Sequence, residues 1–375
     1  MKSVEKLLLG AILSFLFVTN LAAVEVSGLN ETEVIVADQS AGERNRALVD
    51  AFAEVLVKIS GVDAIAESPE VAAELRGASR YLQQYRYRSD KVAAEDETQS
   101  AIEVLKMHVS FDQKAVERLL ERIGRPVWGK NRPQAIVWLA VEEQGSRYLL
   151  DSQSESSWRA LLQEAAAERG LPLILPAMDV EDQAKVHLMD VWANASEELI
   201  LASQRYRADA ILVARIYPTS AGSWASRWTL YANPKEEFMG QSWNAPLAQT
   251  DIVLGRGVHA AADMLAARFS VDGSIEFNEQ IAISVLGIND LKQYAKVSAY
   301  LTSLDPIESV TAERVGGNSV IFKAVAKGGE DALRRAIALG KVLHERSYES
   351  MSLEADIEAE EAGLSQVSRL YYRLP

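Results

Sequence analysis

Apolar residues recur along this chain at two spacings, every three to four residues and every second residue, and the changes of period mark out its elements. Between Ser40 and Gly61 the apolar positions Leu48, Ala51, Phe52, Val55, Leu56 and Ile59 form one stripe of a helix. Ser40-Ala41-Gly42-Glu43 opens it as a capping box: the serine oxygen takes a free amide of the first turn and the glutamate reaches back. Gly61 closes it, because glycine accepts the left-handed conformation of a helix end. Glu33 to Val36, Arg80 to Arg88 and Ile102 to Phe111 predict strands, and Gln113 to Ile123 a second helix. Together they predict a first α/β unit over residues 24–128.

Two later runs, Ala135 to Val141 and Ala210 to Ala214, are apolar without alternation. Strands covered on both faces read this way. Helices are predicted at Trp158 to Arg169 and Ser196 to Arg205, with a short strand at Leu171 to Leu175. Ser223 to Tyr231 and Glu237 to Trp243 predict two antiparallel strands. A helix from Asp251 to Phe269, with Leu254, Val258, Ala261, Leu265 and Phe269 on one side, completes a middle unit over 133–270.

The last unit, 276–375, has the order βαββα. Gln280 to Leu286 is a strand, and Asn289 or Asp290 caps a helix with the inner stripe Leu291, Tyr294, Val297, Leu301 and Leu304. Strands Ile307 to Val315 and Ser319 to Ala326 meet at the hairpin signal Gly316-Gly317-Asn318. Glu330 to Leu343 is a helix, and Val367 to Arg373 returns as a closing strand of a ferredoxin-like βαββαβ unit. An acidic loop at 348–363, with Glu354-Ala355-Asp356-Ile357-Glu358-Ala359-Glu360-Glu361 at its centre, precedes that strand. The predicted fold class is α/β (α+β), three small mixed-sheet units.

The amino-terminal pattern differs from the rest. Lys2 and Lys6 lead into the apolar run Leu7 to Val18, followed by Ala22 and Ala23. This is the layout of a signal peptide over residues 1–23, with cleavage expected near Ala23. The run is short for a membrane span and no second one follows, so no transmembrane helix is expected once the leader is removed. The expected location is the periplasm.

Composition narrows the chemistry. The chain has 375 residues, 48% hydrophobic and 25% charged, with a net charge of -14, which disfavours nucleic acid as a partner. It has no cysteine, which excludes disulfides, a thiol nucleophile, a cysteine metal site and a lipobox anchor. The four histidines, His108, His187, His259 and His344, show no metal-ligand spacing. Gly124-Arg125-Pro126-Val127-Trp128-Gly129-Lys130 imitates the opening of a phosphate-binding loop. A helix precedes it and a strand follows, the reverse of the order such a loop needs, so it reads as a connection. The basic and aromatic mixture Arg80 to Arg88 reads as a strand with Tyr81, Tyr85 and Tyr87 on one face and Arg86 and Arg88 on the other. The acidic pairs Glu142-Glu143, Glu197-Glu198 and Glu236-Glu237 diverge on either strand or helix and make no shared-proton dyad. Gly255-Arg256-Gly257 reads as an aid to close packing.

Trp224, Trp228 and Trp243 are the residues proposed to line a partner or glycan groove. Period-two spacing of Trp224, Ser226, Trp228 and Leu230 equally fits a sheet face under a helix. No catalytic, cofactor-binding or metal-ligating residue is assigned, and no cofactor is expected.

Three phrases carry a likeness to a known family: Asn131-Arg132-Pro133-Gln134-Ala135-Ile136-Val137-Trp138-Leu139, Arg207-Ala208-Asp209-Ala210-Ile211-Leu212-Val213-Ala214-Arg215 and Gly222-Ser223-Trp224-Ala225-Ser226-Arg227-Trp228. They resemble a Gram-negative family of exported proteins catalogued as a domain of unknown function, a likeness that implies no activity and no site residues. In element order the middle unit also looks like the amino-terminal domain of the Tol translocation protein and like accessory domains of envelope assembly proteins. The expectation is a periplasmic, non-enzymatic protein that binds another cell-envelope protein. A peptidoglycan- or glycan-binding module and a hydrolase with an unrecognised site are the alternatives.

Overall fold

The computed structural model describes residues 24–92, 102–232, 240–271, 279–346 and 368–375; the expected leader, the acidic loop at 348–363 and the pair Glu236-Glu237 lie outside the described residues. Among these residues helices and strands alternate through mixed and antiparallel sheets, the α+β class that the hydropathy pattern predicts.

The first sheet takes its strands from β2 (Glu31–Ile35), β3 (Leu82–Val92) and β4 (Ile102–Phe111), in the antiparallel order β2-β4-β3. A two-residue strand before it, β1 (Val24–Glu25), pairs instead with β5 (Asn131–Arg132). Helix α1 (Ala41–Ser60) buries all six residues of its predicted stripe. The five larger ones, Leu48, Phe52, Val55, Leu56 and Ile59, each contribute about 1.5–3 kcal/mol when fully buried. The capping box is half formed. Ser40 Oγ accepts the Glu43 amide at 3.3 Å, but the Ser40 amide goes to Asp38, at 2.8 Å, and the Glu43 carboxylate takes the Ala37 amide instead. An aspartate two residues back competes because it closes a tight local ring. Gly61 ends the helix at φ 72°, and a Cβ there would fall 2.3 Å from Ala266, so the site needs glycine twice over. Helices α2 (Pro69–Leu75) and α3 (Gln113–Arg122) complete the unit. In the register of β3 and β4, Tyr87 faces Met107 on the core side and Arg86 faces His108 on the outer side, as the alternation requires. Tyr81 precedes the strand and stacks on Phe52 at 4.8 Å.

The second sheet has the order β11-β10-β9-β6-β7, with β8 also pairing β6. Its strands are β6 (Ala135–Glu143), β7 (Ser146–Leu149), β8 (Leu173–Ile174), β9 (Ala210–Pro218), β10 (Trp224–Tyr231) and β11 (Gln241–Ala248). β6 runs parallel to β8 and β9. The continuous apolar run of β6 is explained by its two covers. Val137, Leu139 and Val141 pack with α4 (Ser157–Arg169) and α8 (Thr250–Phe269) on one side. Ile136, Trp138 and Ala140 pack on the other side with residues of α6 (Leu188–Ala193) and α7 (Ser196–Ser203) and with Met178 and Val186, which flank α5 (Val180–Lys185). The short helices α2, α5 and α6 carry too few turns to show a period in the sequence.

The third sheet, β13-β14-β12-β16-β15, joins β12 (Glu279–Leu286), β13 (Ile307–Gly316), β14 (Ser319–Ala326), β15 (His344–Glu345) and β16 (Ser368–Arg373). Helices α9 (Leu291–Thr302) and α10 (Gly329–Gly340) provide the crossovers. The closing strand forms, with Leu370 and Tyr372 buried. Its direction departs from the simple βαββαβ plan. A strand following α10 directly, as a parallel crossover from β14, runs antiparallel to β12; the short β15 has that direction. β16 inserts between β15 and β12 and runs parallel to β12. Asp290 caps α9 by accepting the Gln293 amide at 2.7 Å. Leu291 is a correction to the predicted stripe. It is 80% exposed, because it occupies the first turn ahead of the buried Val297, Leu301 and Leu304.

Candidate functional site

The three tryptophans do not share one surface. Trp228 on β10 is wholly buried under α8, and its indole N–H donates to Ser226 Oγ at 2.7 Å on the same strand face. Gly257 makes this possible: a Cβ there would fall 2.0 Å from the indole. Trp243 on β11 lies parallel to it at 6.4 Å, and Trp224 stands edge-on to the buried Trp158 at 4.9 Å. Trp224 and Trp243 keep half-buried rings. The groove proposed across all three is thus corrected at Trp228, which the close approach of α8 places in the core. Gly257 supplies the close packing expected of Gly255-Arg256-Gly257, while an added Cβ at Gly255 would meet nothing within 4 Å.

Gly255 faces an open cleft of about 320 Å³ between α4 and α8. Glu164 and Glu168 reach it from α4, one helical turn apart; Asp251, Arg256 and His259 reach it from α8. Such a cleft, with convergent polar groups and a perturbed titrating side chain, is where a binding site is first sought.

His259 stands at the back of the cleft. Its Nδ1 lies 3.2 Å from Asp63 Oδ1 and its Nε2 3.0 Å from Glu168 Oε2. Burial alone would lower its pKa, but the hydrogen bonds to Asp63 and Glu168 outweigh burial and raise it to about 9. The bond from His259 in turn lowers the pKa of Asp63. At neutral pH the ring is an imidazolium with both N–H groups engaged, so it has no lone pair to act as a base.

Two buried arginines stand behind it. Arg169, fully buried in the last turn of α4, donates to His259 O at 2.9 Å, Gly61 O at 2.8 Å and Asp263 Oδ1 at 2.6 Å. Arg132 donates five bonds, all to backbone carbonyls: Gly129, Arg169, Gly170, Lys58 and Trp128. Its guanidinium also lies 4.1 Å from the centre of the Trp128 ring. Burial pushes its pKa down to about 9, yet acceptors on every donor keep it charged at neutral pH. Lys58 and Arg169 belong to the last turns of α1 and α4, where carbonyls lack helical partners and the dipole favours a cation.

The imitation phosphate loop, 124–130, is the joint itself. Trp128 donates its amide to Ile59 O at 2.7 Å, Val127 bridges to Val271, and Lys130 Nζ pairs with Glu25 at 2.8 Å. From the third sheet unit, Asp305 accepts the Asn131 amide at 3.2 Å, Lys327 pairs with Glu121, and Lys341 pairs with Asp209. No helix follows the loop to direct amides at a phosphate. Among the described residues no group of three or more His, Asp or Glu side chains is arranged to hold a metal ion.

Sequence reasoning missed Asp63, Arg132, Glu168, Arg169 and His259 as a cluster. Arg132 sits inside one of the phrases that carried the family likeness, and His259 is one of four histidines, but no spacing links them to Asp63.

Residues 23–129, less than a third of the chain, match a protein family described as a domain of unknown function (DUF8605). The match covers the first sheet unit and most of the joint; the phrases at 131–139, 207–215 and 222–228 lie outside it. No curated protein matches the chain. Among the described residues, no helix is long and apolar enough to cross a membrane.

Proposed function

We propose that this chain is an exported, non-enzymatic protein of a Gram-negative periplasm that binds another cell-envelope protein, with the cleft between α4 and α8 as its contact surface. The observation that carries this reading is exposed aliphatic surface in the charged cleft and at the strand end that leads into it. Ile252, 42% exposed, lines the cleft, and Leu247, 62% exposed, lies just before the turn that joins β11 to α8. Exposed aliphatic groups around a patch of mixed charge are what a protein partner covers. The engagement of both His259 nitrogens favours binding over catalysis at this place. The signal-peptide layout read in the first residues and the resemblance, in predicted element order, of the middle unit to the Tol amino-terminal domain favour an envelope setting.

Site-specific photocrosslinking tests the reading. A crosslinker at Leu247 or Ile252 should capture one envelope protein in the native host, while one at the exposed Val180 or Val315 should not. Sedimentation with purified peptidoglycan, lost on replacing Trp224 and Trp243 together, would favour the glycan-binding alternative instead. Equal labelling at all four positions would refute the proposed surface.

A further inference from the structure

The face of the second sheet away from α4 and α8 carries an unexplained concentration of positive charge. One rung across that sheet reads Ala140, Arg215, Arg227 and Asn244, from β6, β9, β10 and β11 in turn. Arg215 and Arg227 are therefore directly opposite each other on neighbouring strands, an arrangement that destabilises a sheet when both side chains are charged. Arg227 is exposed and has no ion-pair or hydrogen-bond partner among the described residues. Arg215 gives one bond, Nη1 to Trp192 O at 2.5 Å, and its Nε is buried with no hydrogen-bond partner. The nearby carboxylate is already used: Glu142 Oε2 holds Arg147 Nε at 2.6 Å. Arg147 in turn lies over the Trp192 ring at 4.0 Å. In a chain with a net charge of -14, two adjacent arginines without a carboxylate between them are not the result of general composition.

The rung lies in the carboxyl-terminal halves of the parallel strands β6 and β9, each of which continues into an antiparallel neighbour, β7 or β10, and Trp192 of α6 walls the same place. We infer that Arg215 and Arg227 form a binding site for the oxyanion of a small molecule, a phosphate or carboxylate group clamped between the two guanidinium forks. The anion would cancel the cross-strand repulsion between the two guanidinium groups.

Thermal-melt titrations of the full chain with inorganic phosphate and with malonate, each against sodium chloride at equal ionic strength, test this. One or both oxyanions should raise Tm in a saturable way that chloride does not. The tighter of the two identifies tetrahedral or planar recognition. Arg227→Gln should fold normally, since the side chain is exposed, and should weaken binding about tenfold; Arg227→Lys should fall between. The inference is overturned if neither oxyanion surpasses chloride, or if Arg227→Gln responds to them as the wild type does. This outcome is independent of crosslinking at Ile252, which lines the cleft between α4 and α8 on the opposite side of the sheet.

Discussion

Replacing Arg132 with methionine should uncouple the first two sheet units. The side chain donates five bonds of 2.6–3.0 Å to carbonyl oxygens of the joint, of the end of α1 and of the end of α4. A hydrogen bond from a charged donor contributes about 1.5–3 kcal/mol net. Simple addition overstates the total, because burying the guanidinium itself costs several kcal/mol. Methionine keeps much of the volume and removes that desolvation cost, but leaves five carbonyls without their donor in a site closed to water. The expected loss is about 3–5 kcal/mol, the range for breaking a buried charged contact. Lysine keeps the charge but has three donors, so at least two bonds are lost, and its cost should fall below that of methionine because the remaining donors keep acceptors. Urea denaturation followed by far-ultraviolet circular dichroism and by tryptophan fluorescence measures both. The wild type should unfold with the two probes coincident, and Arg132→Met should separate them, since most tryptophans lie outside the first unit. A midpoint shift for Arg132→Met equivalent to less than about 0.5 kcal/mol would refute the reasoning, as that is the scale of an ordinary surface change.

Trp228→Ala should cost about 3–5 kcal/mol through the cavity it leaves under α8, and Gly257→Ala should destabilise by about 1–3 kcal/mol because its methyl group meets the Trp228 indole; calorimetry on the two variants checks both, and wild-type melting of either contradicts the core placement. The His259 cluster gives a pH dependence. Its pKa is raised from 6.5 to about 9 on folding, so its stabilising contribution is complete below about pH 6.5 and is lost as pH rises through about 9. Denaturation midpoints at pH 6, 7.5 and 9.5 should fall more for the wild type than for His259→Gln, and parallel curves would contradict the ion-pair assignment.

Much of the fold is legible in the order of residues because burial leaves a local trace. A helix with one covered side repeats its apolar residues every three to four positions, as α1 does from Leu48 to Ile59, and all of these are buried. A strand covered on both faces loses its alternation, which is why Ala135 to Val141 and Ala210 to Ala214 are identifiable as the centre of a sheet. The Gly316-Gly317-Asn318 hairpin follows from backbone conformations that few residues accept. These signals say that a face will be covered and say nothing of what covers it.

The candidate sites depend on that missing information. Trp228 on an apolar strand face suits a groove or a core equally, and the choice fell to Gly257, whose lack of a side chain lets α8 close over the ring. β16 has the alternation of a strand, but its direction beside β12 was decided by β15, which takes the adjoining edge position. Arg132, Arg169 and His259 read in sequence as ordinary polar residues of a charged chain. Their partners lie up to 196 positions away, as with Asp63 and His259, and only the packing of α1, α4 and α8 around one joint takes them out of water together. Arg215 and Arg227 are likewise neighbours only through strand register. Hydrophobic period is a property of each segment and is therefore written locally; the state of a buried charge depends on every group that surrounds it, and that is set by the tertiary structure.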